Sequence, residues 1–240
     1  MSPARRQILK RMGVLRPLAA SDRFCKSAGF VIRFFAENDW IGRFFVAKIR
    51  NQADKDGDMN QVKKAEIMDE GAVRRAINRI SYEIIEKNHG SDNIVLAGVC
   101  TRGVYLAERM ADKIAEVEGS RPQTMPLDIT AYRDDLPSRE SVIFPKLEIT
   151  DIEHKTVVIV DDVLFTGRTA RAAMEAVLSA GRAKRIQLAV LVDRGHRELP
   201  IRPDYIGKNL PTSHEERVRV QLREVDDRDS VMILEDKREK

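Results

Sequence analysis

Residues 157–169 constrain the fold of this 240-residue chain more than any other stretch. Residues 157–160 are four β-branched residues in a row, which predicts a buried strand, and Asp161 and Asp162 stand at its carboxyl end. Residues 166–169, Thr-Gly-Arg-Thr, then open a helix. A buried strand that leads straight into a helix is typical of a parallel sheet, where ligands collect beyond the carboxyl ends of the strands.

The chain beyond residue 66 repeats this alternation of strand and helix. Apolar residues recur at helical spacing over residues 67–88, with Asp69 where an N-cap would stand. Strands are predicted at residues 94–99, 127–131, 156–160 and 186–192, and further helices at residues 104–117 and 169–180. Residues 217–222 and 230–234 read as two short strands joined by a turn at 226–229. This order predicts an α/β fold in which helices flank a mostly parallel twisted sheet.

Cysteine usage and hydropathy bound the class of protein. The two cysteines, Cys25 and Cys100, have no paired spacing and no histidine cluster nearby, which disfavours zinc and favours a reducing compartment. No apolar run approaches the length of a membrane span, and the basic start lacks the pattern of a signal peptide. We therefore expect a cytoplasmic protein without a membrane partner.

The acids and the turn that follow residues 157–160 predict a site for a phosphorylated sugar. Adjacent carboxylates can accept hydrogen bonds from vicinal sugar hydroxyls. The backbone N–H groups of residues 166–169 suit a phosphate dianion at a helix N-terminus, Gly167 lets the backbone approach it, and the threonine hydroxyls add donors. The alternative is a strand, an acidic turn and an N-cap without a ligand.

The pattern at residues 157–169 resembles the signature of the type I phosphoribosyltransferases, enzymes that use phosphoribosyl pyrophosphate (PRPP) and Mg²⁺. The resemblance implies their fold, a sheet with a small hood. It also implies that Asp161 and Asp162 hold the ribose hydroxyls and that residues 166–169 hold the 5′-phosphate. The substrate-binding residues of this stretch would be Asp161, Asp162, Val163, Leu164, Phe165, Thr166, Gly167, Arg168 and Thr169.

Two further stretches are similar to that family. Thr101, Arg102 and Gly103 follow a predicted strand and stand where the family has its pyrophosphate loop, although Thr-Arg-Gly alone is an ordinary turn. Residues 128–146 resemble the mobile loop that closes over PRPP and excludes water, with Arg133 as a pyrophosphate contact; a solvated hairpin is the alternative. The catalytic residues implied are Arg102, Arg133, Asp161 and Asp162.

Residues 191–201 and 205–209 resemble the PyrR subfamily, and the similarity runs from residue 60 to about residue 235. This resemblance implies that the base is uracil, so that uracil and PRPP give UMP and pyrophosphate. It places Asp193 to reach Mg²⁺ or its waters, and the region from Arg194 to Arg197, with Gly195, to frame uracil largely through backbone groups. His196 is open to three interpretations: a general base, a structural residue or a contact to RNA.

The subfamily also implies a second function. Its members bind a hairpin in the leader of the pyrimidine operon mRNA and regulate expression by attenuation, with affinity set by uridine nucleotides such as UMP and UTP or by guanosine nucleotides. They form dimers or tetramers. Such binding needs a cationic surface, for which the candidates are Arg74, Arg75, Arg79, Lys87, His196, Arg197, Arg202 and Lys208. A mixed, solvated face is the alternative, because the helix at 67–88 also carries acids, and Asn78 and Tyr82 leave the RNA specificity open.

Two other functions compete with this interpretation. An RNA-binding regulator with a nucleotide-sensing pocket and little catalysis would have less use for the predicted pyrophosphate contacts Arg102 and Arg133. A purine or orotate phosphoribosyltransferase is disfavoured by residues 193–201.

Residues 1–58 differ in kind from residues 59–240. They carry 12 Lys or Arg against 6 Asp or Glu, together with Trp40 and six of the eight phenylalanines. Residues 51–58 have the polar, glycine-containing composition of a linker. Three interpretations compete: a start assigned too far upstream, with Met59 as the true beginning, a basic appendage that aids RNA binding, or an organelle-targeting segment. We favour the first, because the similarity begins at Met59.

Overall fold

A computed structural model of the chain describes residues 61–134 and 152–236. Residues 1–58, and the part of the expected mobile loop from residue 135 to residue 146, lie outside the described residues. The domain boundary at residue 58 therefore stays a prediction. Within the described ranges, no helix has the length and apolar character that crossing a lipid bilayer requires.

The described residues form eight strands, four α-helices and one short 3-10 helix. In chain order they are β1 (Gln61–Met68), α1 (Glu70–Asn88), β2 (Ile94–Val99), α2 (Arg102–Glu118), β3 (Gln123–Leu127), the 3-10 helix (Thr130–Tyr132), β4 (Thr156–Leu164), α3 (Arg168–Ala180), β5 (Arg185–Asp193), β6 (Tyr205–Asn209), β7 (Arg217–Gln221), α4 (Arg223–Asp226) and β8 (Ser230–Asp236).

Five parallel strands form the main sheet, in the order β3-β2-β4-β5-β6. Alternate residues of β4 point into two separate cores. Val158 and Val160 pack with α1 and α2, whereas Val157 and Ile159 pack with α3. Because both faces of the sheet are covered, its inner strands can be apolar throughout, and the predicted α/β fold is confirmed.

A second sheet holds three antiparallel strands in the order β1-β8-β7, and we call these strands with α4 the hood. Its strand β1 was not predicted, and the helix expected from residue 67 begins only at Glu70. The reason is that β1 is largely exposed and lacks apolar alternation, so pairing with the distant β8 defines it rather than its own sequence.

Other elements also differ from the boundaries predicted from the sequence. The strand expected at residues 127–131 is wrong: β3 ends at Leu127, and a 3-10 helix follows at Thr130–Tyr132. Strand β6, at the edge of the main sheet beside β5, was also not predicted. The N-cap prediction is confirmed, because the backbone N–H of Ala72 donates to the Asp69 carboxylate at 2.7 Å.

Two glycines let helix α2 lie directly against the sheet. A Cβ atom on Gly98 of β2 would stand 2.4 Å from the Cα of Val104, and one on Gly103 would stand 2.3 Å from the carbonyl oxygen of Val160. The opposing atoms belong to the backbone and cannot turn aside. The first turn of α2 therefore lies in direct contact with β4 at Val160.

We expect the substitution Gly98→Ala to lower the free energy of unfolding by about 3 kcal/mol, since the added methyl would push α2 off the sheet. Urea denaturation followed by circular dichroism measures this loss. The matched control is Gly119→Ala, where no atom lies within 4 Å of the new Cβ but φ is +75°. That control should cost only about 1 kcal/mol, the penalty of a left-handed backbone. Equal losses in both variants would show that the close contact does not matter.

Candidate functional site

Two carboxylates, Asp161 and Asp162, stand side by side in the carboxyl-terminal half of β4. The backbone N–H of Asp162 donates to Oδ1 of Asp161 at 2.9 Å, and the N–H of Val163 donates to Oδ1 of Asp162 at the same distance. Each side chain is thus folded over the next peptide unit, which fixes its orientation. The Oδ2 atoms take no part in these two bonds.

Asp161 lies in an unfavourable place for a negative charge. Its residue surface is only 8% exposed, and this burial raises the pKa of its carboxyl well above the usual range. The neighbouring charge of Asp162 adds to the rise, while the guanidinium of Arg133 opposes it. A ligand with hydroxyl donors would stabilise the charged form that the protein alone supports poorly.

Residues 166–169, which we call the phosphate turn, lead from β4 into α3. Gly167 has φ +94° and stands at the N-cap of α3, so the turn uses a backbone conformation that favours glycine. The Thr166 carbonyl accepts hydrogen bonds from the N–H groups of Glu198 and Leu199, at 2.9 and 3.1 Å. The phosphate turn is thereby tied to the segment that follows β5.

Residues 101–103, which we call the pyrophosphate loop, begin helix α2 beside the same strand end. The peptide bond between Cys100 and Thr101 is cis. Nη2 of Arg102 donates to both carboxylate oxygens of Asp226, at 3.2 and 3.1 Å. The contact of Gly103 with the Val160 carbonyl brings this loop next to Asp161, so these two predicted parts of the site come together.

Arg133 follows the 3-10 helix and is exposed, close enough to Asp161 to influence its pKa. The turn before it is anchored, because Nη2 of Arg171 donates to the Tyr132 carbonyl at 2.6 Å. Arg168 joins three parts of the site: its Nη1 lies 2.8 Å from Asp134 and its Nε lies 2.7 Å from Glu198. Neither acid was predicted from the sequence as a site residue.

Arg197 organises the segment after β5. Its Nη1 donates to the Phe165 carbonyl at 2.7 Å and its Nε to the Ile201 carbonyl at 3.0 Å. Its Nη2 forms an ion pair with Oδ2 of Asp193 at 2.6 Å, while Oδ1 of Asp193 accepts the Gly195 N–H at 3.0 Å. A guanidinium directed inward in this way holds the loop in shape, although the sequence suggested a contact to RNA.

Arg194 is also buried, with 6% of its surface exposed. Its guanidinium lies 3.9 Å from the centre of the Phe165 ring, and its Nη2 donates to the Glu216 carbonyl at 2.7 Å. Burial lowers the pKa of this guanidinium. The Arg194 side chain therefore connects Phe165 to the loop at residues 212–216. Only the backbone of Arg194 is left to contact a base.

His196 is held by neighbouring groups. Its Nε2 lies within hydrogen-bond distance of the Thr212 carbonyl, and its ring centre is 4.0 Å from that of His214. The ring also meets the edge of Phe165, with 6.0 Å between the centres. One ring nitrogen is thus engaged with the backbone, which favours the structural interpretation of His196 over a general base.

The predicted RNA-binding residues fall into two groups. Arg74, Arg75, Arg202 and Lys208 are exposed. The other four have partners within the protein, although Arg79 and Lys87 are exposed as well: Arg79 donates to the carbonyls of Ile206 and Gly207, Lys87 pairs with Asp204, and His196 and Arg197 make the contacts above. The bonds of Arg79 and Lys87 join α1 to β6, so the exposed cations of α1 and of residues 202–208 belong to neighbouring elements.

Comparisons with known proteins agree with this geometry. Residues 42–223 match the model of the phosphoribosyl transferase domain. The chain is 53% identical over 176 residues to "Bifunctional protein PyrR" of Bacillus cereus (strain B4264) and of Bacillus anthracis (strain CDC 684 / NRRL 3495), covering 72% of this chain and 98% of each relative.

Solved structures share the fold at lower identity. A hypoxanthine phosphoribosyltransferase from Staphylococcus aureus is 19% identical, with a TM-score of 0.52 over 73% of this chain and 94% of that one. The enzyme from Trypanosoma cruzi in complex with IMP is 17% identical, with a TM-score of 0.54 over 72% of this chain and 91% of that one.

We expect Asp161→Asn to make the ligand-free protein more stable at neutral pH. Because the pKa of Asp161 is raised by folding, its contribution to stability is present below the unfolded pKa and is lost as the pH rises through the folded pKa. The asparagine side chain does not ionise, so the variant avoids this loss of stability. We expect a gain in the free energy of unfolding on the order of 1 kcal/mol at about pH 8 and a smaller gain at about pH 4. Thermal denaturation at both pH values measures it. A destabilisation of the same size at both would contradict the argument.

Proposed function

The chain belongs to the phosphoribosyltransferase family and, within it, to the bifunctional PyrR group, and on that premise we propose that it converts uracil and PRPP into UMP and pyrophosphate. The observation that carries the proposal is the meeting of three elements at one sheet edge. Asp161 and Asp162 lie in the carboxyl-terminal half of β4, the phosphate turn opens α3, and the pyrophosphate loop begins α2 beside them.

The reaction is difficult because charge develops on both the ribose and the leaving pyrophosphate in the transition state. The ribosyl carbon becomes positive as pyrophosphate leaves, so the site has to hold the reactants in line and neutralise the leaving group. We assign the ribose hydroxyls to Asp161 and Asp162, the 5′-phosphate to residues 166–169, and the pyrophosphate to Arg102 and Arg133. No covalent nucleophile is needed.

Magnesium is the cofactor that we propose, brought in with PRPP. Among residues 61–134 and 152–236, no three acidic, histidine or cysteine side chains converge as a closed metal site. Mg²⁺ does not require one, since it commonly binds one or two carboxylates and takes its other oxygens from substrate phosphates and water. Bound in this way, it supplies positive charge against the leaving pyrophosphate.

Asp193, at the end of β5, fits an indirect role toward that ion. Both of its oxygens already accept one interaction, from the Gly195 N–H and from Arg197. Each carboxylate oxygen keeps a second acceptor position. We therefore propose that Asp193 orders the waters of the ion.

The choice of uracil rests on the segment after β5. Residues 191–201 resemble the PyrR subfamily, whereas the hypoxanthine enzymes share only the fold at 17–19% identity. In this chain the segment is shaped by Arg197 and Arg194, whose side chains bind carbonyl groups and Phe165. With the guanidinium groups turned inward, backbone N–H and C=O groups are left to meet the edge of a small pyrimidine.

The test of the enzyme is uracil-dependent release of pyrophosphate from PRPP by the full chain with magnesium. We expect turnover, and a loss of kcat/KM of at least about 100-fold in the double variant Asp161→Asn/Asp162→Asn, which keeps the shape of the strand end but not its charge. Hypoxanthine and orotate are the control bases. Binding of UMP without turnover would instead favour a nucleotide-sensing regulator.

We further propose that the protein binds the leader hairpin of a pyrimidine operon mRNA and regulates its expression by attenuation in response to UMP or UTP. The relatives are named "Bifunctional protein PyrR", which supports a second activity beside the enzyme. The exposed side chains that supply positive charge for RNA phosphates are Arg74, Arg75, Arg202 and Lys208. Such an RNA is met in the bacterial cytoplasm, where we propose that the protein works. The dimer or tetramer expected from the family stays a prediction.

We expect the double variant Arg74→Ala/Arg75→Ala to weaken binding of the leader hairpin and to reduce the slope of log K against log salt by about 1.4, one phosphate contact being lost for each arginine. Filter binding over a range of salt concentrations measures both. Arg121→Ala is the charge control, because Arg121 is exposed but already paired with Glu108 and Asp112. An unchanged slope in the double variant would show that α1 presents a solvated face only.

A further inference from the structure

A carboxylate that the proposed reaction does not use lies against the arginine of the pyrophosphate loop. Asp226 ends helix α4 of the hood, and both of its oxygens accept from Nη2 of Arg102, at 3.2 and 3.1 Å. The Asp226 side chain is only 5% exposed and that of Arg102 is 23% exposed. This ion pair joins the pyrophosphate loop to a part of the chain 124 residues later.

Asp226 is itself held firmly. Its backbone N–H donates to the Leu222 carbonyl at 2.7 Å, and its Oδ2 accepts the Leu222 N–H at 3.2 Å. Leu222 is fully buried in the same core as α2. The carboxylate is therefore fixed to the framework of the hood and can act as an anchor.

The anchor uses only part of the guanidinium. One nitrogen, Nη2, serves both carboxylate oxygens, whereas Nε of Arg102 is buried and has no hydrogen-bond partner among the described residues. A buried N–H on a charged group is costly to leave unpaired. Since the guanidinium is planar, fixing Nη2 also restricts the directions in which the other N–H groups point.

We propose that Asp226 is a positioning residue for PRPP: it holds Arg102 in the orientation that receives the pyrophosphate group, and leaves the N–H groups that are neither bound to Asp226 nor buried for phosphate oxygens. This inference rests on the proposed function of the same site. Arginine side chains have large conformational freedom, which binding would otherwise have to remove. With the anchor in place, that freedom is already lost before PRPP arrives.

The chain offers a matched control in the same segment. Asp229, three residues later, is 7% exposed and pairs with Arg109 at 2.7 Å, much as Asp226 pairs with Arg102. Arg109 also binds Glu224, and neither Arg109 nor Asp229 belongs to the proposed site. A substitution of Asp229 should therefore loosen the hood without touching the pyrophosphate loop.

The experiment measures PRPP binding by calorimetry with magnesium, and steady-state kinetics, in the full chain. For Asp226→Asn we expect the Kd and the KM for PRPP to rise about tenfold, which corresponds to about 1.4 kcal/mol, with the KM for uracil unchanged. Asp226→Glu, which keeps the charge, should recover part of the loss. Asp229→Asn should lower the melting temperature but leave the Kd for PRPP within about twofold.

A double-mutant cycle separates positioning from mere stabilisation of the hood. If Asp226 acts through Arg102, then Asp226→Asn should change PRPP affinity less than about twofold in a chain that already carries Arg102→Ala. The inference is overturned if Asp226→Asn leaves PRPP affinity unchanged or tightens it, or if Asp229→Asn weakens PRPP binding equally. It is also overturned if the fold-losses of affinity in Asp226→Asn and Arg102→Ala multiply in the double variant, because the two residues would then act independently. A wild-type chain that neither binds PRPP nor turns it over overturns the proposed function as well, whereas normal turnover with an insensitive Asp226 overturns this inference alone.

Discussion

The site depends on how closely the first turn of α2 approaches the backbone of β4. Gly103 meets the Val160 carbonyl and Gly98 meets the backbone of Val104, with no space for a side chain at either contact. These contacts set the distance between the pyrophosphate loop and the two carboxylates. A substrate that carries charge at both ends requires such fixed spacing, because each misplaced contact loses much of its electrostatic value.

The inner part of the fold could be predicted from the sequence because local pattern and tertiary structure agree there. Residues 157–160 are apolar where the sheet buries them, so the strand, the acids after them and the helix start were recognised, but β4 continues through both acids to Leu164 instead of ending before them. Strands β1 and β6 were not recognised, since both lie at sheet edges and are short on apolar alternation, and β1 is in addition defined by a partner far away in the chain. Short-range pattern carries little information about such pairing.

The same division applies to the candidate site. Arg102 could be named from its motif, but its partner Asp226 could not, because no local signal links residues so far apart. Arg197 is the converse case. Its charge suggested a surface contact, yet its guanidinium binds the carbonyls of Leu164, Phe165, Gly195 and Ile201. Residue type indicates that a charge has to be satisfied, and only the folded chain decides whether solvent, ligand or backbone does so.

The pairing of β1 with β8 also sets an order of events during synthesis. Strand β1 is made before the whole main sheet, and its partner is the last strand of the described chain. While a ribosome is still translating, the backbone groups of β1 have no partner strand, and Asp226 has not yet been made to meet Arg102. The pairing that completes the hood sheet, and with it the contact between Asp226 and Arg102, can therefore form only after the strands of the main sheet have been synthesised.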